Sequence, residues 1–396
     1  MVWLIDGLVV RLASSNVPAM DGPDNPYRQL SITALSSPIL LETIVCIATE
    51  SMVNYGLSSV PIAAERQQQM LRSLGQSLLR IDAANLSDAR NNGTISTHDH
   101  EEILTAVVLQ GIVTAQTVDG AVEPHIKCAS FLMQALDCFK QAPQTSLARM
   151  TIQRYAMVDL MLAISRQRRP FSPPDFILYH PDEERWDLTE PSFHKMTGCP
   201  QPLMCFLVQI AHLACDVDER LASGLPTTDI LDHAFRLDTD LSAWGSQYTK
   251  LSPDDPTRQP LDILTECFYW TAHLLLARRV FRDRTCSLRI QHLAQTCFRL
   301  MDHLVPGCGP DSSLPQPFYL AAREAISIED RNWVRKKHDE MTAVYREQQR
   351  NSVMGLTERI WEGTDALRMV QNNDSALSVE DSLIKALDRE SCLFIF

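Results

Sequence analysis

Glycine is scarce in this sequence, with 14 among 396 residues, and no segment alternates apolar and polar residues long enough to build a sheet. Together these shortages exclude a turn-dense, sheet-rich fold. No run reaches 18 uninterrupted apolar residues, so no membrane span is expected. There is no G-x-S-x-G, no glycine-rich phosphate loop and no H-E-x-x-H, which removes the commonest hydrolase, nucleotide and zinc-protease signatures. Positive charge is in deficit too. The 36 Lys and Arg face 49 Asp and Glu, giving a net charge of -13 and a sequence pI near 5.3. Such a surface repels phosphate backbones, so direct DNA binding by this chain alone is not expected.

Cysteine is present, eleven times, but not in the C-x2-C pairs that zinc modules use. Cys46, Cys205 and Cys267 lie among apolar neighbours, and the steps from Cys199 to Cys205 and on to Cys215 are too wide for a compact cluster. The pattern reads as reduced, buried thiols of an intracellular protein. His98-Asp99-His100-Glu101-Glu102 is the densest run of possible metal ligands. Neighbours on a helix point to different sides, so the run reads as a helix start, with Asp99 as N-cap and Glu102 as its capping-box partner. Two magnesium motifs of all-α terpene synthases also fail. Asp254-Asp255 runs into Pro-Thr-Arg, and Asn373-Asp374 is followed by serines at the wrong offsets. His212 and His273 read as satisfied helix residues, and Arg168-Arg169 and Arg335-Lys336-Lys337 as solvated helix ends or faces. No catalytic, cofactor-binding or metal residue is assigned.

What is there is helical periodicity. Residues 38–56, 102–118, 126–139, 150–166, 203–217, 263–281 and 288–305 repeat apolar side chains at three and four. Proline-rich breakers separate them, and no fixed-period repeat is visible. The expected class is all-α, a large antiparallel helical bundle or irregular helical array. Residues 1–370 form the main domain, with a possible seam at 168–201, a break that keeps Phe171, Phe176, Tyr179 and Trp186. Residues 371–396 read as a tail carrying one short helix. The apolar start, MVWLIDGLVVRLASS, has Asp6 inside it and no basic leader, and reads as a short helix rather than a signal peptide.

Several segments, in order, resemble one family. Asn25, Pro26, Tyr27 and Arg28, followed by SSPILLETIVCIAT, are similar to its opening step and first capped helix. His125 and Ala129 fit a joint that is usually His-Leu-Arg-Gly-Ala, with Cys128 replacing the glycine. TGCPQPLMCFLVQIAHLA (197–214) resembles a Gly-Cys segment leading into a helix, and CFYWTAHLLLARRVF (267–281) fits an aromatic-x-x-Ala-x-Leu-Leu-x-x-x-Arg helix. Pro317, Phe318, Tyr319, Leu320, Ala321, Glu324, Ala325, Asp330 and Arg331 match a further block, from which Gln316, Ala322 and Arg323 depart. Trp361 and Asp365 match its closing helix. The family is the second type of fungal-specific transcription factor regulatory domain, which follows a Zn2Cys6 cluster in many fungal activators.

The resemblance implies a non-catalytic, nuclear transcription regulator that works through dimerisation, protein partners or an effector. Control of a metabolite-biosynthesis or drug-response gene set is the role it suggests. The zinc-cluster cysteines are missing, so either they lie outside this sequence or the protein reaches DNA through a partner. A small apolar effector would sit between helices 203–217 and 263–281, near Trp270, unless that aromatic cluster is plain core. The rival classes are an all-α cyclase-like enzyme and a helical scaffold outside the nucleus. In LPQPFYLAAREAISIEDRNW (314–333), Phe318, Ala321, Ala325 and Ile328 read as one apolar face. Glu324, beside that stripe, reads as a structural hydrogen-bond or ion-pair partner.

Overall fold

A computed structural model of the chain describes residues 19, 20, 22, 25–88, 97–115, 122–180, 192–248, 258–370 and 376–390. The apolar start, Trp186, Asp254-Asp255 and Asn373-Asp374 lie outside them. The described residues form fifteen α-helices and no strand. The fold is all-α.

The helix at the centre is α6, Ser146–Arg166, in which every residue from Met150 to Ser165 is buried. A helix apolar on nearly every face has to be surrounded, and α6 is. On one side lie α1 (Pro26–Ala34), α2 (Pro38–Asn54), α3 (Val60–Asp88), α4 (Thr97–Ala115) and α5 (Val122–Ala135), where α2 packs on α3 and α4, and α4 on α5 and α6. The other side begins with the short α7 (Phe193–Thr197) and α8 (Gln201–Ala222), both in contact with α6. Then come α9 (Thr228–Tyr248), α10 (Pro260–Leu275), α11 (Leu288–Asp302) and α12 (Pro315–Ala322), with α10 against α8, α11 and α12. Helices α13 (Ile328–Tyr345) and α14 (Gln348–Val370) follow. The last, α15 (Ala376–Glu390), folds back onto α14 and α6.

Local chemistry sets the boundaries. Asn25 caps α1 by accepting from the Tyr27 N–H, with Pro26 in the first turn, where its missing donor costs little. Ser37 caps α2, and its hydroxyl donates to Glu102 at 2.6 Å. Glu102 therefore serves another helix's cap. Because α4 already starts at Thr97, Asp99 falls inside its first turn, and the expected Asp99–Glu102 capping box is not what forms. Past α6, the chain turns at Gln167 in the left-handed region and returns over its own helix. There the Asp159 carboxylate accepts from the backbone of Phe171 (2.9 Å) and Ser172 (2.8 Å) and from the Ser172 hydroxyl (2.7 Å). Phe176 packs edge-on against Phe139, with ring centres 5.1 Å apart. The described part of the 168–201 break is thus tied into the core by buried aromatics.

The 314–333 stretch divides differently from its sequence reading. α12 ends at Ala322 and α13 starts at Ile328, so Ile328 leaves the stripe and is exposed, while Phe318, Ala321 and Ala325 are buried. Arg331 clamps α14 through Asp365 at 2.6 and 2.8 Å and donates to the Ala325 carbonyl at 3.1 Å. Trp361 donates its indole N–H to the Ala322 carbonyl at 2.9 Å. These contacts tie α12, α13 and α14 together. Lys337 is buried and donates to the Leu304 carbonyl at 2.7 Å, so the basic run 335–337 is not wholly a solvated face.

Candidate functional site

Between α6, α8, α10, α12 and α15 lies a cavity of about 200 Å³. Its apolar surface comes from Ile164 on α6, Leu221 on α8, Leu274 and Leu275 on α10, Leu320 on α12 and Ile384 on α15. Ile164, Leu274 and Leu275 belong to segments that periodicity marks as core, whereas Leu221 is half exposed and Ile384 is partly buried. Here they meet without filling the space.

One side of the cavity is charged. The last turn of α10 widens into a π-helical turn, Leu276–Val280, which breaks the α-helical register and carries Arg278 and Arg279. Such turns recur at functional sites because they re-aim side chains. Arg278 is buried, with Nε 3.1 Å from Glu324 and an Nη 3.1 Å from Glu380 of α15. The Thr285 hydroxyl lies 2.6 Å from Glu324 and 2.5 Å from Glu380. It has one proton for two carboxylates, so the guanidinium supplies most of the neutralisation.

Around Asp218 the ratio is reversed. Arg279, Arg282 and Lys385 approach this one carboxylate at 2.9, 3.0 and 2.9 Å. Burial alone would raise the Asp218 carboxyl, but Arg279, Lys385 and Arg282 outweigh it and hold it below its ordinary value. Further along α15, Arg323 holds Asp388 at 2.9 Å, and Gln167 donates to the same carboxylate at 2.9 Å. The C-terminal helix therefore covers the cavity through charged pairs to α8, α10 and α12.

Glu324 holds the kind of place its sequence reading gives it, an ion pair and a hydrogen bond, although it is buried rather than beside solvent. No residue of 203–217 lines the cavity, which meets α8 only at Asp218 and Leu221, and Trp270 is not among the lining residues either; it packs edge-on against Tyr269 and tilted against His273. His212 meets Arg169 at 3.5 Å and His273 meets Asp238 at 2.9 Å. Asp218, Glu380, Lys385 and Asp388 were not singled out in sequence, and no local pattern marks them, because their partners come from distant helices. Burial pushes the Cys46 and Cys297 thiols up to about 12, which keeps them protonated at neutral pH. Among the described residues, no group of three or more His, Cys, Asp and Glu is arranged to hold a metal ion, and no helix is long and apolar enough to cross a membrane.

A family model described as the fungal specific transcription factor domain matches residues 10–377. No curated protein and no solved structure matches the chain.

Proposed function

The chain belongs to the fungal specific transcription factor domain family, and from that premise we propose that it is a non-catalytic regulator of transcription acting in the nucleus through protein partners or a second copy of itself. The observation that carries the reading is the extent of the family match, residues 10–377, which takes in the other helices around the cavity but only the first two residues of α15. The residues that carry the sequence resemblance do structural work: Asn25 caps α1, Arg331 and Asp365 join α13 to α14, and Glu324 receives Arg278. A regulatory domain needs such a scaffold rather than a reaction centre. The net charge of -13 favours DNA contact through a partner, and a metabolite-biosynthesis or drug-response gene set is the target the family suggests.

The test is to join the chain to a heterologous DNA-binding module and measure a reporter placed behind that module's operator. Expression should change relative to the module alone. An expressed, nuclear fusion that leaves the reporter unchanged refutes the regulatory reading. Magnesium-dependent turnover of an isoprenoid diphosphate by the purified chain refutes the non-catalytic one. Nanomolar operator binding by the chain alone overturns the reliance on a partner.

A further inference from the structure

We propose that the surface beneath α15 is a docking groove for an acidic amphipathic helix of a partner protein, and that α15 is the groove's own competing occupant. A helix packed permanently into a core turns an aliphatic stripe inward, as α8 does with Leu203, Leu207, Ile210 and Ala214. α15 does not. Among its described side chains only Glu380 and Asp388 are buried, while Leu383, Ile384 and Leu387 are half-buried and Val379 is exposed. Glu380, Ile384 and Asp388 stand at steps of four, so they share one stripe, which runs acid, aliphatic, acid.

Each of these positions has a seat of matching chemistry. Glu380 lies 3.1 Å from Arg278 of the π-helical turn and accepts from the Thr285 hydroxyl. Asp388 lies 2.9 Å from Arg323 at the end of α12, and Lys385, on the flank, lies 2.9 Å from Asp218 of α8. Ile384 covers the aliphatic floor made by Leu274, Leu275 and Leu320. Leu383 seats against α14, where a Cβ on Gly363 would come within 2.5 Å of it. Glycine weakens a helix interior, so its place in α14 fits a notch that any side chain would close. Together the seats specify a helix reading Glu-x2-Leu-Ile-Lys-x2-Asp. Exchange needs no unpaired cation, because a partner's acids would take Arg278 and Arg323 as α15 gives them up.

The same features let α15 give way. Burying carboxylates costs desolvation that offsets most of the ionic gain, and about 200 Å³ beneath Ile384 is unfilled, so that side chain forfeits contacts. α15 therefore opens ahead of the rest of the fold. When it lifts, Arg278 keeps Glu324, and Glu380 and Asp388 regain water, so no acid of α15 is left as an uncompensated buried charge. In the regulator, a partner helix that takes the groove would set α15 free, and that exchange would be the switch. This last step rests on the proposed function, whereas docking itself is measured on purified protein without any transcription readout.

The probe is a fluorescein-labelled peptide of residues 376–390, ALSVEDSLIKALDRE, titrated with the purified full chain and followed by anisotropy. Wild type should bind it weakly, because its own tethered α15 competes. A full chain carrying Glu380→Arg and Asp388→Arg repels α15 from Arg278 and Arg323. This opened chain should bind the peptide at least about tenfold tighter, the gain when the open state rises from under a tenth of the population to nearly all of it. Reversing the same two acids in the peptide should weaken binding at least about tenfold. So should adding Gly363→Leu to the opened chain, which closes the notch while raising helix propensity in α14. In wild type, saturating isotope-labelled peptide should speed amide exchange over 376–390 at least about tenfold and leave α6 unchanged; this result decides if the opened chain does not melt cooperatively. No tighter binding by a cooperatively melting opened chain, binding that survives the reversed peptide or Gly363→Leu, or exchange that the peptide does not speed would each overturn the proposal. So would a wild-type dimer that the two reversals dissociate, which would give the groove to a second copy's α15. Failure here leaves the reporter experiment untouched, and failure of the reporter leaves a docking groove without a transcriptional role.

Discussion

Arg278→Met should cost about 3–5 kcal/mol, the usual loss when one partner of a buried pair is removed. Arg278 is 5% exposed and lies 3.1 Å from each of two buried carboxylates, Glu324 in the turn after α12 and Glu380 on α15. Unit charges near 4 Å attract by about 4 kcal/mol at an effective dielectric of 20, but desolvation offsets most of that gain. What decides the outcome is what remains. Methionine keeps the apolar stem and leaves Glu324 and Glu380 facing one threonine hydroxyl with no cation between them. The loss should be read from urea unfolding, together with amide exchange over 376–390, because α15 carries Glu380. Adding Glu324→Gln and Glu380→Gln to Arg278→Met should recover most of the loss, since neutral groups need no counter-charge. A loss below about 1 kcal/mol, as for an exposed ion pair, would refute the reasoning, as would a triple variant no better than the single one.

Three further outcomes follow from single sites. Gly198→Ala should destabilise by about 2–4 kcal/mol in thermal or urea unfolding, because Gly198 has φ 77° and a Cβ there would meet the Leu264 side chain at 2.3 Å; a change within about 0.5 kcal/mol would contradict it. Gln316→Met should stabilise by about 1 kcal/mol, since both amide atoms of Gln316 are buried with no hydrogen-bond partner among the described residues; a lower melting temperature would count against it. Asp218→Asn should destabilise near neutral pH and less so in acid. The Asp218 carboxyl is held below its ordinary 3.8, so its contribution is present above that value and fades as pH falls through the depressed one. A gap between wild type and Asp218→Asn that widens from about pH 5 to 3 would refute the assignment.

The sequence reveals the helices whose buried stripe is apolar and hides those whose stripe is mixed. In α2, α8 and α10 the buried positions are mostly aliphatic, aromatic or cysteine, so the three-and-four spacing is plain. In α13 the buried residues are Val334, Lys337, His338, Met341 and Tyr345. The spacing is equally helical, but two of the five are basic, so the segment reads as a charge run. His338 is neutralised in place: burial holds its pKa below the ordinary value, while its ring nitrogens meet Tyr319 at 2.9 Å and Asn351 at 3.1 Å. Ile328 misled in the opposite direction. It keeps step with Ala325 in the sequence, but α12 has ended before it, and two helical stripes cannot be joined across a turn. Glu324 was legible as a paired acid beside an apolar face, although nothing local could supply its partner. That partner is 46 residues away, and Lys385 is 167 residues from Asp218.

The cavity was invisible to periodicity because its charged wall depends on how α15 is attached. Against α14 the attachment is close and apolar: a Cβ on Gly363 would meet the Leu383 side chain at 2.5 Å. Against the rest of the fold it is ionic, with Glu380 on Arg278, Lys385 on Asp218 and Asp388 on Arg323. Aliphatic side chains at those positions would fill a cavity of about 200 Å³ and seal the helix down at less desolvation cost. Charged latches leave the space open and tie α15 to α8, to α12 and to the π-helical turn through partners far apart in sequence, which is why no local pattern announces them.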